Sequence, residues 1–95
     1  MIRHIVFFTV RDPDRLAQVE ADLKALEATP HAHRLLVRRN LKRDTLANDI
    51  DLVVYGEFAD EDALARYKAE PAYAEAVRKV RPQRELRLAA DVADA

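Results

Sequence analysis

A histidine near the start of this 95-residue chain has both the chemistry and the position of a functional group. His4 lies in the strand-like segment Ile2–Val10 and shares its even-numbered face with Val6 and Phe8. By this alternation, that face should look toward the helices. A histidine changes charge near neutral pH, so His4 could act as a general base or bind a ligand. The alternative is a histidine at the edge of the core, hydrogen-bonded to a neighbour.

Two tyrosines could supply hydroxyl groups to the same region. Tyr67 and Tyr73 are spaced by roughly two helical turns, so both could face the sheet if the helix is continuous. Their hydroxyls could orient a polar aromatic or polyketide-like ligand, or the rings could be large core fillers with hydroxyls at the rim. Leu52 faces the same pocket in this interpretation. An apolar residue there fits ligand binding better than proton transfer.

Several other polar residues have a chemical and a structural interpretation. Glu70 could serve as a carboxylate base, but its position just before a proline predicts an exposed helix cap. His31 and His33 could share a strand face and chelate a metal, yet without a nearby third ligand they predict a surface position. Asp49 and Asp51 could hold a hard cation, or they could simply solvate a loop.

One basic cluster stands out along the chain. It could bind an anionic ligand or a phosphate, or it could form a solvated edge paired with the acids of a neighbouring chain. Its residues are Arg34, Arg38, Arg39, Lys42 and Arg43.

Composition excludes several classes of function. The chain has 16 Lys and Arg against 17 Asp and Glu, a net charge of -1, which argues against nucleic-acid binding by bulk charge. It contains no cysteine, no serine and a single glycine, so thiol chemistry, a serine triad and a glycine-rich phosphate loop are excluded. We therefore expect no cofactor and no metal. Without a signal-peptide or membrane-spanning pattern, we expect a cytoplasmic protein with no membrane partner.

The hydrophobic pattern predicts six elements in the order β-α-β-β-α-β. Strands are predicted at Ile2–Val10, Ala32–Leu41, Asp51–Phe58 and Arg84–Val92, with helices at Pro13–Ala28 and from Asp60 through a break at Pro71 to about Val80. This order is typical of an α+β, ferredoxin-like fold, an antiparallel sheet with two helices on one face. Residues 1–95 should form one domain, with the last few residues frayed.

The second face of the predicted sheet has no cover within one chain. Ile5, Phe7, Val53 and Tyr55 would be exposed there in a monomer. An apolar sheet face of this size implies a partner.

Three segments carry a resemblance to a known family. They are RHIVFFTV from Arg3, RRNL at 38–41 and FADEDALARYKAEPAY at 58–73. Together they resemble the stress-responsive A/B-barrel (Dabb) family of dimeric α/β-barrel proteins, over about Ile2 to Val92. The resemblance implies a homodimer in which two sheets meet face to face as a barrel. It also implies that the first-strand histidine lines a pocket between sheet and helices.

The same resemblance shows a departure at the helix break. A plant member of the family cyclises a polyketide with a tyrosine like Tyr67 and a histidine at the position of Tyr73. The usual family segment reads His-Pro-Ala-His, whereas this chain has Glu70-Pro71-Ala72-Tyr73. A tyrosine with its ordinary pKa of about 10 is a poor base at neutral pH. The departure argues against that cyclase mechanism here.

Three functions remain as hypotheses. The first is a small, stress-associated homodimer that binds a hydrophobic or aromatic ligand between sheet and helices without catalysis. The second is a cyclase, isomerase or cofactor-free monooxygenase on aromatic or polyketide-like substrates, with His4 as base, as in related antibiotic-biosynthesis monooxygenases. The third is a purely structural assembly protein, since one heat-stable plant relative builds a larger ring.

Overall fold

The computed structural model describes residues 1–46 and 48–94, which form four strands and three α-helices. The strands are β1 (Ile2–Val10), β2 (Arg34–Arg39), β3 (Leu52–Phe58) and β4 (Arg84–Ala93), and the helices are α1 (Leu16–Lys24), α2 (Glu61–Ala69) and α3 (Pro71–Val80). All strand pairs are antiparallel, in the order β2-β3-β1-β4. The predicted α+β, ferredoxin-like fold is confirmed, with the second predicted helix divided into α2 and α3.

The helix boundaries follow from the capping residues in the sequence. The Asp12 carboxylate accepts a hydrogen bond from the backbone of Asp14, and the Asp60 carboxylate accepts one from the backbone of Ala63 at 2.8 Å. Pro71 cannot continue α2 and instead occupies the first turn of α3. In the part of the chain that the structure describes, no helix combines the length and the apolar character needed to cross a bilayer.

The core lies between the helices and the even-numbered face of β1. Val6 and Phe8 are buried there, and the helices contribute Val19 and Val80. β3 alternates between fully buried and partly exposed residues along its whole length, as expected for a strand with one covered face. The parity predicted for His4 is therefore correct, and the histidine faces the helices.

The opposite, outer face of the sheet carries exposed apolar side chains. Phe7 is 39% exposed, and its β4 neighbour Leu88 is 51% exposed. Ile5, Val53 and Tyr55 are partly buried on the same face. Leu86 and Val92 extend this apolar surface along β4.

The last strand runs further than the predicted end at Val92. Ala93 pairs with Ile2, and the Asp94 backbone N–H donates to the Met1 carbonyl at 3.1 Å. The predicted fraying of the final residues concerns Ala95 as well, which lies outside the described residues.

Candidate functional site

His4 occupies the middle of the sheet with a neighbour on each side. Its register partners are Gly56 on β3 and Asp91 on β4, and the residue is 1% exposed. Its ring nitrogen Nδ1 lies 2.5 Å from the Asp91 carboxylate oxygen Oδ1. Antiparallel pairing thus brings together two residues that are far apart in the sequence.

Burial and Asp91 act in opposite directions on the protonation of His4. Burial lowers the pKa of His4 below its ordinary value of 6.5, and the hydrogen bond and negative charge of Asp91 oppose that shift. The positive charges of Lys68 and Arg87 lower the pKa of His4 further. The net direction is downward, so the imidazole of His4 is neutral at pH 7.

The hydrogen bond to Asp91 also fixes which nitrogen carries the proton. An ionised carboxylate only accepts hydrogen bonds, so Nδ1 of the neutral His4 ring must donate, and Nε2 is left as an acceptor. No residue among 1–46 and 48–94 hydrogen-bonds to Nε2, although every fully buried polar side-chain atom in that part of the chain has a partner. Nε2 is therefore open to the adjoining cavity.

The two tyrosines pack beside His4, as the sequence predicts. Tyr67 of α2 is 2% exposed, and its ring centroid lies 5.2 Å from that of Tyr73 of α3 and 6.3 Å from that of His4. Burial raises the pKa of Tyr67, and the neighbouring Tyr73 and Glu70 act in the same direction. Its hydroxyl therefore stays protonated at neutral pH and can donate a hydrogen bond, but it cannot act as a base.

The single glycine makes room for an aromatic ring in this arrangement. A Cβ atom at Gly56 would lie 2.7 Å from Cε2 of Phe58, closer than two carbon atoms approach. The Phe58 ring is fully buried, 5.2 Å from the Tyr67 ring between centroids. The glycine permits this close approach, and the pairing of β3 with its neighbours is regular.

A cavity of about 420 Å³ lies between the sheet and the helices, and we call it the helix-side cavity. Its walls are mainly apolar, with His4, Tyr67 and Tyr73 as polar groups and several basic residues besides. The lining residues are His4, Val6, Phe8, Leu23, Leu26, Val54, Tyr67, Lys68, Tyr73, Ala76, Val77, Val80, Arg81, Arg84 and Arg87.

The helix-side cavity opens toward the edge of the sheet at β4. The inner-face residues Ala89 and Asp91 of β4 are exposed, whereas the inner faces of β1 and β3 are buried. The helices thus cover the middle of the sheet and leave β4 uncovered.

Leu52, the fourth predicted ligand-binding residue, lies elsewhere. It is fully buried on the inner face, paired with Phe8 and Arg39, and does not border the helix-side cavity. The alternation of residues along β3 predicts the correct face for Leu52, but it cannot predict how far the cavity extends along the strand.

Glu70 occupies the predicted cap position, between α2 and α3, but its side chain is not exposed as the sequence predicts. It makes no side-chain capping hydrogen bond, and its carboxylate is 21% exposed. Instead it accepts a hydrogen bond from the Thr29 hydroxyl at 2.5 Å, and the Nε2 atom of His31 lies 3.7 Å away. These contacts lie beside a separate small cavity of about 70 Å³, which Tyr67 and Tyr73 also border. The sequence could not reveal them because they join the end of α1 to the α2–α3 break.

Three members of the predicted basic cluster pair with acids of their own chain. Arg38 binds Glu27 at 2.9 Å, Arg39 binds Glu20 at 3.0 Å and Lys42 binds Asp51 at 2.8 Å.

Asp51 is also held by the backbone rather than free in a loop. Its carboxylate accepts a hydrogen bond from the Val10 N–H at 2.8 Å. Across residues 1–46 and 48–94 no group of three or more His, Asp or Glu side chains could hold a metal ion.

Sequence reasoning missed Asp91 and the basic residues of the helix-side cavity. Asp91 had one signal in the sequence: it is an acid on the inner-face parity of the last strand, a parity that it shares with Glu85. No sequence motif marks the four basic residues Lys68, Arg81, Arg84 and Arg87. Only the fold brings these four side chains to one cavity.

Comparisons with known proteins support the fold. The family model of the stress responsive A/B barrel domain (Dabb) matches residues 2–94. No curated protein sequence matches the chain.

Solved structures from several bacteria share the fold. A dimeric ferredoxin-like protein of unknown function from Thermobifida fusca is similar at 27% identity, with a TM-score of 0.82, over 97% of this chain and 89% of that one. A Dabb family protein with a ferredoxin-like fold from Mesorhizobium loti is similar at 26% identity, with a TM-score of 0.81, over 99% and 96%. A putative antibiotic biosynthesis monooxygenase from Nitrosomonas europaea shares the fold at 15% identity, with a TM-score of 0.79, over 99% and 98%.

Proposed function

The chain belongs to the stress responsive A/B barrel domain family, and we propose that it binds a small hydrophobic or aromatic ligand in the helix-side cavity. The observation that carries this proposal is the cavity itself. Its volume of about 420 Å³ lies within the range of small-molecule sites, which are mostly apolar with a few placed polar groups.

The polar groups of the helix-side cavity suit a ligand with a hydroxyl or carbonyl. The Nε2 atom of His4 is an acceptor held in place by the bond between Nδ1 and Asp91. The protonated hydroxyl of Tyr67 is a donor beside it. An aromatic ligand could therefore pack against Val6 and Phe8 while it exchanges hydrogen bonds with both groups.

The residues around the helix break favour binding over catalysis. Tyr73 takes the place of a histidine in the family-like segment, and Tyr67 is held protonated by burial. Glu70 is engaged with Thr29 beside the smaller cavity, away from His4. A tyrosine is a poor base at neutral pH, and the Glu70 carboxylate does not line the helix-side cavity.

The His4–Asp91 pair supports an enzyme as the second candidate. A carboxylate on Nδ1 orients the imidazole and stabilises the imidazolium that forms when Nε2 accepts a proton. The candidate reactions are those that abstract a proton from an aromatic or polyketide-like substrate: cyclisation, isomerisation or cofactor-free oxygenation. Replacing Asp91 by asparagine separates the candidates, since it would reduce turnover much more than ligand affinity.

We also propose that the protein is a homodimer that pairs through the outer face of the sheet. The exposed Phe7 and Leu88 support this, because a stable monomer rarely leaves such a surface open. The similar Thermobifida fusca protein is described as dimeric. A role in stress and a cytoplasmic location stay predictions from the sequence.

Native mass spectrometry of the protein purified from its own host tests ligand binding directly. We expect the mass of a dimer carrying a small molecule. In Val77→Phe the larger side chain would fill part of the helix-side cavity, so the bound molecule should be lost. His33→Gln, an exposed position, is the matched control and should keep it. Wild-type protein without any bound molecule, or Val77→Phe that retains it, would contradict the proposal.

A further inference from the structure

The residues that line the helix-side cavity include four basic side chains, and the nearest carboxylate described, that of Asp91, is hydrogen-bonded to His4 Nδ1. The four basic residues of the cavity come from three places: Lys68 from α2, Arg81 from the end of α3, and Arg84 and Arg87 from β4. Among the described residues that line it, none is an aspartate or a glutamate.

These four side chains also lack acidic partners. Within residues 1–46 and 48–94, no carboxylate lies within 4.0 Å of a charged nitrogen of any of them. The opposite edge of the sheet is different, because Arg38, Arg39 and Lys42 each bind a carboxylate there at 2.8–3.0 Å. Other basic residues without such a partner, such as Arg34 and Arg66, are exposed and lie away from the helix-side cavity.

Arg87 reaches toward the buried polar groups. It pairs with Phe8 of β1, so its side chain leaves the inner face of β4 and is only partly exposed. Its charge lowers the pKa of both His4 and Tyr67, and the charge of Lys68 acts on His4 in the same direction. The positive charges of Arg87 and Lys68 therefore lie close enough to interact with the polar groups of the cavity, His4 and Tyr67.

Unpaired like charges around one cavity repel each other, and this repulsion is relieved when an anion binds. Apolar walls behind the charges would favour an aromatic or aliphatic body. The whole chain has a net charge of -1, so it does not attract polyanions in general. The local positive charge at the cavity entrance therefore suits a small anion better than a nucleic acid or a membrane surface.

We propose that the helix-side cavity takes a ligand whose hydrophobic or aromatic body carries an anionic head group, a carboxylate or a phosphate. Lys68, Arg81, Arg84 and Arg87 bind the head group at the entrance, and the body lies against the apolar walls near His4. This inference rests on the proposed function and adds the charge class of the ligand.

Calorimetric titration with three matched probes tests the charge requirement. The probes are 2-naphthoate, the neutral 2-naphthamide and 2-naphthyl phosphate. Wild-type protein should bind at least one anionic probe about tenfold more tightly than the amide, as charge-assisted hydrogen bonds allow. Raising the salt from about 0.05 to about 0.5 M should weaken binding of the anions and leave the amide unchanged, because salt screens partly exposed charges. A preference between the two anions identifies the head group.

Charge-neutralising variants locate the effect. Arg87→Gln and Lys68→Gln should each reduce the affinity for the preferred anion by about fivefold while leaving the amide unchanged. Arg34→Gln and Arg66→Gln remove the same charge from exposed positions outside the cavity and should change neither. Circular dichroism checks that each variant is folded, and the two cavity variants give independent readings.

Two outcomes separate this inference from the function on which it rests. Equal binding of amide and anions, with no change in Arg87→Gln or Lys68→Gln, overturns the anionic class and leaves a hydrophobic binding protein. If none of the three probes binds, or if Val77→Phe binds all of them as tightly as wild type, the helix-side cavity is not the site and both are overturned.

Discussion

At the scale of single residues, the contact between His4 and Asp91 decides what the helix-side cavity can do. It sets the direction of the His4 ring and leaves Nε2 as a neutral acceptor beside the Tyr67 donor. The same pair would serve binding or proton abstraction. Catalysis would gain from a second base next to His4. Tyr67 stays protonated at neutral pH, and Glu70 does not line the helix-side cavity, so the site favours ligand binding.

The protein should lose stability as the pH falls through the ordinary pKa of His4. Burial places the pKa of folded His4 below 6.5, whereas the unfolded chain binds the proton at its ordinary value. Below that pH the unfolded state holds more protons, so the free energy of unfolding decreases until folded His4 is protonated too. Asp91 opposes this shift, and Lys68 and Arg87 add to it. Urea denaturation at a series of pH values between about 7.5 and 5 measures the slope.

Two histidine variants isolate this effect. In His4→Gln the decrease between these pH values should be smaller than in wild type, because the group that titrates differently in the two states is gone. His33→Gln should keep the full decrease. Identical slopes in wild type and His4→Gln would show that His4 is not held neutral by burial.

Histidine and tyrosine candidates could be found from the sequence because residue type and strand parity are local properties. His4, Tyr67 and Tyr73 do line one cavity. Asp91 could not be assigned, because the segment after Leu88 consists of small residues and its register with β1 depends on pairing across the whole chain. The cap position of Glu70 was predicted, but its contact with Thr29 was not, because Thr29 lies 41 residues earlier in the chain.

At the scale of elements, capping and proline signals placed the helices well. Asp60 and Pro71 begin α2 and α3 where the sequence predicts, and Asp12 caps a 3-10 turn, Pro13–Arg15, that leads into α1. These signals act within one turn. The strand boundaries lie within two residues of the predicted ones. The largest difference is in β2, which is two residues shorter at each end than the predicted Ala32–Leu41, and β4 extends one residue further, to Ala93. The opening of the helix-side cavity at β4 was not predictable, because it depends on how far the helices extend across the sheet.

Gly56→Ala should destabilise the protein by about 1–3 kcal/mol, as overpacking of a tight core does. The new methyl group would meet the Phe58 ring at 2.7 Å, and that ring is wedged between the sheet and Tyr67. Chemical denaturation measures the change. Ala89→Val adds a larger side chain at an exposed strand position and should stay within about 0.5 kcal/mol of wild type. A Gly56→Ala variant as stable as wild type would mean that Phe58 moves freely, which contradicts the packing described for the site.

At the scale of the whole molecule, the two faces of the sheet have separate roles in this account. The inner face and the helices enclose the ligand cavity, and the outer face joins two copies. The outer face is not purely apolar, because the Tyr55 hydroxyl accepts a hydrogen bond from Arg3 at 2.6 Å and donates one to Glu57 at 2.7 Å. This polar group at one end of the face would help to fix the alignment of two sheets.

Phe7→Asp should convert the dimer to a monomer or to a much weaker dimer. A carboxylate in the middle of the outer face would be buried without a partner in the paired form. Sedimentation velocity measures the mass in solution. Leu41→Asp places the same charge at an exposed leucine, 73% accessible, outside the strands and should remain dimeric. A well-folded monomer from wild-type protein would contradict the proposed homodimer.

The central claim is that the ligand occupies the cavity beside His4. The most direct test is a two-dimensional NMR titration that follows the His4 ring and the backbone amides while 2-naphthoate or its amide is added. The account predicts shifts at His4, Tyr67 and Val77, with the outer-face residues Phe7 and Leu88 unchanged. Shifts confined to the outer face, or a His4 ring that does not respond to a probe that binds, would contradict it.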